Sequence, residues 1–400
     1  MGGLRLLTAG ESHGPAEVCV VAGVPAGIEL LAVDIDADLA RRQRGYGRGG
    51  RMRIENDRVR ILAGVRYGRT LGSPLALLVD NTDYENWRTV MQSEPPSEGV
   101  ATPVTVARPG HADLAGVAKT GTGDIRDVLE RSSARETVAR VAAGAVAKAV
   151  LRVVGVTVRA RVTAVGGVTV STMPDHTRPD SVDWAAVESS VFGCDDRAAE
   201  DRMRAVVGEA RAAGESLGGV FEVWAWGVCP GVGGYASPED RLDGRLMGAL
   251  GSIPAIKGVE VGEGFSTAGA RGSQVHDPIV VAPGAGRPTI TRPSNRAGGL
   301  EGGMTNGMPV IVRAAMKPIP TLMSPLPSVD LATFESVSAH RERSDVEAVA
   351  AAAVVGEATV AWELARAVLE KFGGDSAEQL RASYAAYVDS LAARGLWRPS

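Results

Sequence analysis

A helix start at residues 133–136 constrains the fold of this chain more than any other pattern. Ser133 stands three residues before Glu136, which is the spacing of a capping box that bonds the first backbone N–H groups of a helix. The segment 137–153 follows and is rich in Ala and Val. The sequence therefore predicts a helix over 137–153 that begins directly behind Ser133.

The same helix start predicts an anion-binding site. A helix N-terminus presents unpaired backbone N–H groups and partial positive charge. Arg131, Ser132 and Arg135 add guanidinium and hydroxyl donors at this point of the chain. We expect phosphate to be the anion that binds here.

Composition narrows the class of protein. Hydrophobic residues make up 44% and charged residues 22% of the 400 residues, which is ordinary globular usage. The net charge of −4 weighs against general nucleic-acid binding, which depends on a positive field. No run of eighteen apolar residues predicts a membrane span, and residues 1–10 lack the apolar core of a signal peptide. We therefore expect a cytoplasmic protein with neither a membrane nor a nucleic-acid partner.

The three cysteines predict neither a disulfide framework nor a metal site. Cys19, Cys194 and Cys229 are odd in number and far apart, and no CxxC or Cys/His spacing typical of zinc sites occurs. A chain without a metal is the expectation.

Alternating and helical patterns follow one another without a regular βαβ order, and no linker or internal repeat divides the chain. This favours one α+β domain over residues 1–400. Strands are predicted at 16–24, 59–65, 75–79, 219–228, 256–261 and 310–315, with a hairpin at 154–170 that turns near Gly166. Further helices are predicted at 34–43, 200–213, 239–250, 344–372 and 375–394, and a long loop region at 264–309.

A glycine- and arginine-rich segment at 45–51 (GYGRGGR) is too rich in glycine for a helix or strand. It formally matches G-x-G-x-x-G, but a helix precedes it where a dinucleotide-binding fingerprint needs a strand. A loop that closes over an anion fits better, and a solvated basic loop remains the alternative. The arginines concerned are Arg41, Arg42, Arg44, Arg48 and Arg51.

Two of the five histidines lie in short glycine-bearing loops, at His13 and His111. Each is a candidate general acid, because imidazole exchanges protons near neutral pH. A structural role is the alternative for each. Asp345 follows Arg343 and Ser344 at the predicted start of the last long helix, where an acidic side chain near the helix dipole is explained by capping alone.

Glycines at 298–303 and the stiff turn Lys317-Pro318-Ile319-Pro320-Thr321 would let backbone approach a flat ligand closely. Ordinary turn chemistry is the alternative. A planar cofactor with a phosphate tail would explain both segments. The residues by themselves thus indicate an anionic, phosphorylated substrate and acid–base chemistry by His and Asp.

Five segments, in this order, resemble the chorismate synthase family. They are 10–14 (GESHG), 108–113 (RPGHAD), 131–137 (RSSARET), 296–303 (RAGGLEGG) and 343–345 (RSD). The resemblance implies conversion of 5-enolpyruvylshikimate 3-phosphate to chorismate and phosphate by an anti 1,4-elimination, the last common step of the shikimate pathway. It implies that reduced FMN is required without net redox change. It further implies a sandwich of helices between antiparallel sheets, assembled as a homotetramer.

By resemblance, His13 protonates the departing phosphate, His111 acts at the N1 and O2 edge of the flavin, and Asp345 acts at its N5. The implied substrate contacts are Ser12, Arg42, Arg48, Arg108, Arg135 and Arg343. The implied FMN contacts are Arg131, Ser132, Ser133, Pro254, Ala255, Gly302, Lys317, Pro318, Ile319, Pro320, Thr321 and Arg343. Arg42 and Arg48 are also implied to contact a nicotinamide dinucleotide, which makes NADPH a candidate reductant.

Pro254 stands where the family commonly has a polar residue, so only its carbonyl can contact FMN. Two other classes of function remain open. One is a nicotinamide-dependent flavin oxidoreductase with net redox turnover. The other is a non-catalytic module that binds polyanions through the loop at 45–51.

Overall fold

A four-stranded antiparallel sheet forms one outer layer of the protein, for which the computed structural model describes residues 3–47, 56–95, 99, 101–282, 288–339 and 345–398. Its strands are β1 (Arg5–Ala9), β2 (Ala16–Ala22), β3 (Val59–Ala63) and β4 (Leu75–Asp80), and their spatial order is β1-β2-β4-β3. Alternate residues such as Cys19, Val21, Leu75 and Leu77 are buried, so one face of the sheet packs on the interior.

A five-stranded antiparallel sheet forms the opposite layer. Its strands are β5 (Thr157–Val165), β6 (Val168–Thr169), β7 (Gly219–Trp226), β8 (Ile256–Val261) and β9 (Val310–Met316), in the spatial order β8-β9-β7-β5-β6. The predicted turn of the β5–β6 hairpin is confirmed, because Gly166 and Gly167 both adopt positive φ there.

Ten α-helices lie in the part of the chain that the structure describes. They are α1 (Ala32–Gln43), α2 (Asp113–Thr120), α3 (Arg126–Ser132), α4 (Thr137–Arg152), α5 (Trp184–Ser189), α6 (Arg197–Ala213), α7 (Leu242–Gly251), α8 (Gly272–Val275), α9 (Val349–Phe372) and α10 (Ala377–Ala393). Two-residue strands lie at Val65–Arg66, Arg69–Thr70, Val280–Val281, Ile290–Thr291, Leu300–Glu301 and Met304–Thr305, and three-residue strands at Pro327–Val329 and Ser336–Ser338.

The two long apolar helices α4 and α9 form the central layer. Helix α4 packs on the first sheet, α9 packs on the second sheet, and the two helices pack on each other. Their backbones meet at Gly144, where an added Cβ would lie 2.3 Å from the Cβ of Ala358. This arrangement confirms the predicted α+β sandwich of helices between antiparallel sheets.

A buried ion cluster joins three helices in the middle of the sandwich. The carboxylate of Glu357 in α9 accepts hydrogen bonds from Arg41 of α1 (Nη1–Oε1 2.6 Å, Nη2–Oε2 2.9 Å) and from the ammonium of Lys148 in α4. It also accepts from the backbone N–H of Ala160 at 2.7 Å. Burial alone would raise the pKa of Glu357, but Lys148 and Arg41 outweigh it and lower this pKa to about 2. The cluster therefore holds α1 in a fixed position against the core.

The start of the helix at 137–153 differs in detail from the prediction. Ser133 accepts from the backbone N–H of Arg135, not from that of Glu136, and it caps the short 3-10 turn Ala134–Glu136, after which α4 begins. Helix α3 ends at Ser132 and was not predicted from the sequence. Its seven residues are too few to show the helical spacing of apolar side chains. The helix is supported by a long-range contact of Glu130, which is described below.

The predicted start of the last long helix was wrong by several residues. Helix α9 begins at Val349, and the Glu347 carboxylate accepts from the Val349 backbone N–H at 2.7 Å. Asp345 therefore lies before the start of the helix and not in its first turn. The region 264–309, predicted as a long loop, contains α8 and four of the two-residue strands.

Candidate active site

His13 lies in the turn between β1 and β2 and is held by Glu130 of α3. Its backbone N–H donates to Glu130 Oε2 at 2.9 Å, and its ring Nδ1 lies 3.0 Å from both carboxylate oxygens. The ring of Trp87 covers the imidazole with centroids 4.0 Å apart. Arg126 donates to Glu130 Oε1 at 3.1 Å. Burial alone would raise the pKa of Glu130, but the His13 contacts and the Arg126 charge lower it.

Asn81 connects the His13 turn to the predicted phosphate site. This buried amide follows β4 and donates to the carbonyl oxygens of Glu11 and Gly14, at 3.1 and 2.8 Å. Its own oxygen accepts from Nε of Arg135 at 2.8 Å. The loop that presents His13 and the guanidinium of Arg135 are therefore fixed by one side chain.

Asp57 lies between two of the predicted substrate-binding arginines. Its buried carboxylate accepts from Nη1 of Arg135 at 2.7 Å and lies 3.6 Å from Nη1 of Arg42. Arg42 also donates to Thr137 Oγ1 at 2.9 Å and to the carbonyl of Ala134 at 3.0 Å. The structure thus brings Arg42 and Arg135 together beside the short turn that leads into α4.

The sequence predicted that Arg131 and Ser132 stand at a helix N-terminus, and this was wrong, although Ser133 does cap the turn that leads into α4. Arg131 and Ser132 form the C-terminal end of α3, where the helix dipole is negative. Arg131 donates to the carbonyls of Thr8 and Gly10 at 3.1 and 3.0 Å, which fixes it against β1. Ser133 Oγ lies 3.2 Å from Ser12 Oγ, so the second serine faces the His13 turn.

Glu17 is a buried carboxylate beside this site that sequence reasoning did not single out. Its side chain is 1% exposed, and neither carboxylate oxygen has a hydrogen-bond partner among the residues that the structure describes. Arg131 lies close to it, with Nη1 3.7 Å from Oε2. Burial raises the pKa of Glu17 to about 7, although the charges of Arg135 and Arg131 oppose the shift.

His111 belongs to a second cluster, with Arg108 and Asp113. The Asp113 carboxylate accepts from Nε and Nη2 of Arg108, at 2.9 and 3.1 Å, and from Nδ1 of His111. Hydrogen bonds from His111 and Arg108 lower the pKa of Asp113 against the opposing effect of burial. An ionised carboxylate cannot donate, so the His111 proton lies on Nδ1 and the nearby Arg108 Nη2 makes no hydrogen bond to that nitrogen.

The stiff turn at 317–321 packs against the His111 loop. Lys317 donates from Nζ to the carbonyl of Gly110 at 2.5 Å, and its backbone N–H donates to the carbonyl of Ala255 at 2.9 Å. A Cβ added to Gly110 would lie 3.4 Å from the Cβ of Pro320. Two of the predicted cofactor residues, Lys317 and Pro320, therefore adjoin Gly110 in the loop that carries His111, and Ala255 is bonded to Lys317.

Asp345 lies beside the start of the arginine-glycine segment. The next residue, Val346, donates its N–H to the carbonyl of Gly47 at 3.0 Å and accepts from the N–H of Leu217 at 2.7 Å. Arg48 and Arg343, both predicted to contact substrate or cofactor, lie outside the described residues.

Gly302 lies in a different setting from the other predicted cofactor residues. It forms the turn between the strands Leu300–Glu301 and Met304–Thr305, and the next residue, Gly303, accepts from the N–H of Leu242 at the start of α7. An open cleft of about 520 Å3 adjoins this turn. Among its lining residues are Asp243, Met247, His276, Arg296, Leu300 and Glu301.

Sequence reasoning missed the carboxylates and the amide that hold the acid–base and arginine side chains. Glu130, Asn81 and Asp57 are buried polar residues, and each acts on a partner more than fifty residues away in sequence. Asp113 lay within a motif quoted above but received no role. The described part of the chain has no group of three metal-ligating side chains and no helix long and apolar enough to cross a membrane.

Comparison with known proteins gives a consistent result. A family model described as chorismate synthase matches residues 4–369. The chorismate synthase of Rubrobacter xylanophilus is 56% identical over 381 residues, covering 95% of each chain. That of Pelobacter propionicus is 53% identical over 392 residues, covering 97% of this chain and 99% of the relative. A crystal structure of a chorismate synthase matches with a TM-score of 0.79 at 39% identity, over 98% of this chain and 99% of that one.

The α+β sandwich and these matches define an enzyme of the lyase class. At this coverage and identity, the chain belongs to the chorismate synthase family.

Proposed function

We propose that this enzyme converts 5-enolpyruvylshikimate 3-phosphate into chorismate and phosphate by an anti 1,4-elimination that depends on reduced FMN. The observation that carries the proposal is the connection through Asn81, which joins the loop of a candidate acid, His13, to Arg135. Arg135 in turn shares the Asp57 carboxylate with Arg42. A phosphate that leaves as an anion needs a cationic site and a proton donor in the same place.

Arg42, Arg135 and Ser12 bind the phosphate and carboxylates of the substrate in this proposal. The two guanidiniums are spaced by Asp57, and Ser12 adjoins Ser133 at the same turn. Arg108 is held by Asp113 and lies beside His111, so it would act at the second cluster. Arg48 and Arg343 stay predicted substrate contacts.

The residues near His111 fit a planar, phosphorylated cofactor such as FMN. Gly110 leaves the space that a Cβ would fill against Lys317 Nζ, 3.3 Å away, and Lys317 supplies a cation. Thr321 supplies a hydroxyl, and Pro318, Ile319 and Pro320 supply a stiff backbone. Ser132 and Ser133, of which Ser133 adjoins Ser12 at the His13 turn, stay predicted FMN contacts. Pro254 can offer only its carbonyl, while the Ala255 carbonyl is already bonded to Lys317 N–H. Gly302 stays a predicted FMN contact.

Reduced FMN, when bound, would supply the electron-rich ring that assists departure of the phosphate. The chain itself binds, orients and moves protons. His13 donates a proton to the departing phosphate oxygen. His111, oriented by Asp113, holds a proton at the N1 and O2 edge of the ring, and Asp345 accepts the substrate proton near N5.

We further propose that residues 1–400 act as one catalytic domain, that the enzyme is a cytoplasmic homotetramer, and that NADPH serves as a reductant through contacts at Arg42 and Arg48. These proposals rest on the family resemblance. Sedimentation velocity would test the tetramer.

The decisive experiment is an anaerobic assay of the purified enzyme with the enolpyruvyl substrate and reduced FMN. We expect phosphate and chorismate to appear in equal amounts, and oxidised FMN to support no reaction. His13→Ala should release much less phosphate under the same conditions. NADPH consumed in step with product would instead indicate a nicotinamide-dependent oxidoreductase. Absence of phosphate release above the enzyme-free background would reject the proposed function.

A further inference from the structure

The contact between His13 and Glu130 determines which ring nitrogen of His13 can exchange a proton. Glu130 is 3% exposed, and both of its carboxylate oxygens lie 3.0 Å from Nδ1. Its Oε2 also accepts the backbone N–H of His13 at 2.9 Å. One carboxylate thus fixes both the backbone and the ring of the same residue.

A carboxylate that accepts several hydrogen bonds stays ionised and acts only as an acceptor. The cation of Arg126 on Oε1 and the hydrogen bonds from His13 favour this ionised form. Nδ1 of His13 must therefore carry a hydrogen in both the neutral and the charged ring. In the neutral ring, Nε2 is then the nitrogen with the free electron pair.

The ring plane is fixed as well as its protonation pattern. Trp87 lies 4.0 Å from the imidazole, centroid to centroid, with an angle of 30° between the planes. The guanidinium of Arg126 lies over the Trp87 ring, 5.1 Å from the ring centroid. A ring bonded at Nδ1 and covered on one face has little rotational freedom, so the direction of Nε2 is set before any ligand binds.

We propose that Glu130 is a positioning residue that holds His13 in the Nδ1–H tautomer and leaves Nε2 as the nitrogen that gives its proton to the departing phosphate. The inference rests on the proposed function for the identity of the proton acceptor. In this step the carbon–oxygen bond breaks and its electron pair stays on the phosphate oxygen. That oxygen takes the proton from Nε2, and the ring returns to the neutral Nδ1–H form.

The buried carboxylate behind the imidazole has one further consequence. It prevents the wrong tautomer from forming after the proton leaves. This effect does not require Glu130 to touch the substrate. Loss of Glu130 should therefore lower kcat and leave KM nearly unchanged.

The first test is spectroscopic and independent of turnover. Histidine labelled with 15N gives at most five imidazoles in this chain, and His13→Asn identifies the signals of His13. In the wild-type enzyme at a pH where the ring is neutral, we expect the proton on Nδ1. In Glu130→Ala, we expect a mixture of tautomers or a proton mainly on Nε2. A wild-type proton on Nε2, or an unchanged tautomer in Glu130→Ala, would overturn the proposal.

The matched control is Arg126→Gln, which removes the cation next to Glu130 but no contact with His13. It should keep the Nδ1–H tautomer. Glu130→Gln retains an acceptor oxygen and should also keep this tautomer, and it provides the comparison if Glu130→Ala does not fold.

The second test measures steady-state kinetics of the holoenzyme. For Glu130→Ala we expect kcat to fall about 100-fold, the lower range for general acid catalysis, with KM within about threefold of wild type. Glu130→Gln should lose less. Wild-type kcat in Glu130→Ala would contradict the positioning role. If the wild-type enzyme releases no phosphate, the proposed function fails, while the tautomer measurement still decides whether Glu130 controls the ring.

Discussion

The guanidinium of Arg135 and the carboxylate of Asp57 form a buried ion pair, with Nη1 2.7 Å from Oδ1. The second oxygen of Asp57 lies 3.6 Å from Nη1 of Arg42. Two cations that would otherwise repel each other are therefore held side by side by one anion. Asp57 thereby connects helix α1, which carries Arg42, to the turn before α4, which carries Arg135. These are the two arginines of the proposed phosphate site.

Replacing Asp57 by Asn should weaken this site and the fold together. Removing one partner of a buried ion pair costs about 3 kcal/mol or more, because the remaining charge stays buried. We expect a lower melting temperature and a KM for substrate raised about tenfold, with a smaller change in kcat. Thermal denaturation and initial rates measure these effects. Asp80→Asn, which removes an exposed ion pair with Arg60, is the control. It should have little effect on the melting temperature or on KM.

Glu17 should make the stability of the enzyme depend on pH. Its pKa is raised from 4.5 to about 7 in the folded chain, so the folded chain keeps a proton that the unfolded chain loses. The free energy of unfolding should therefore fall as the pH rises from about 4.5 through 7, by at most about 3 kcal/mol. Below pH 4.5 this group should have no effect.

Glu17→Gln should remove this pH dependence and make the enzyme more stable than wild type at pH 8. Denaturant titrations between pH 5 and pH 8 measure the difference. Glu209→Gln, on the exposed face of α6, is the control. A Gln variant with the wild-type slope against pH would show that Glu17 does not titrate in this range.

Gly144→Ala should destabilise the central helix pair. An added Cβ would meet the backbone and Cβ of Ala358 at 2.6 and 2.3 Å, so α4 and α9 would have to separate. We expect a loss of about 2 kcal/mol or more, despite the better helix propensity of Ala.

The matched control for this prediction is Gly208→Ala. Gly208 lies on the exposed side of α6 with no atom within 4 Å of the added Cβ, so this change should stabilise by up to about 1 kcal/mol. Chemical denaturation distinguishes the expected loss of stability in Gly144→Ala from the expected gain in Gly208→Ala. Equal effects of both substitutions would contradict the close approach of the helices.

His111→Ala and Asp345→Ala should lower turnover more than substrate affinity. Both residues act in proton transfer in the proposed mechanism, while the arginines bind the substrate anion. We expect kcat to fall about 100-fold in each variant, with the substrate dissociation constant nearly unchanged. Pre-steady-state rates and equilibrium titration separate the two quantities. Wild-type turnover in either variant would refute its assigned role.

Most of the secondary structure could be predicted from short-range patterns. The helix over 137–152, the β5–β6 hairpin and the strands at β2, β4, β7, β8 and β9 follow from apolar spacing and glycine turns. The start of α9 could not be predicted in this way, because residues 344–347 also have the spacing of a capping box and so indicated an earlier start. Instead Val346 makes backbone hydrogen bonds with Gly47 and Leu217, and the helix begins only at Val349.

The residues of the candidate site could likewise be predicted only in part. His13, His111, Arg42 and Arg135 were identified by their residue types and local settings. Asp57, Asn81 and Glu130 were not, since each is an ordinary polar residue in its own segment and gains its role from a distant partner. Glu17 was not identified either, because its raised pKa comes from burial in the folded chain.

By itself, the sequence determined most of the helices and strands, because these depend on neighbours within a few residues. It also determined which types of side chain are available for acid–base chemistry and anion binding. The tertiary structure decided which carboxylate stands behind which cation or imidazole. His13 and Glu130 are 117 residues apart in sequence, and only the packing of α3 against the β1–β2 turn makes them partners. Hydrogen bonds act over about 3 Å, so their pairing is a property of the folded chain.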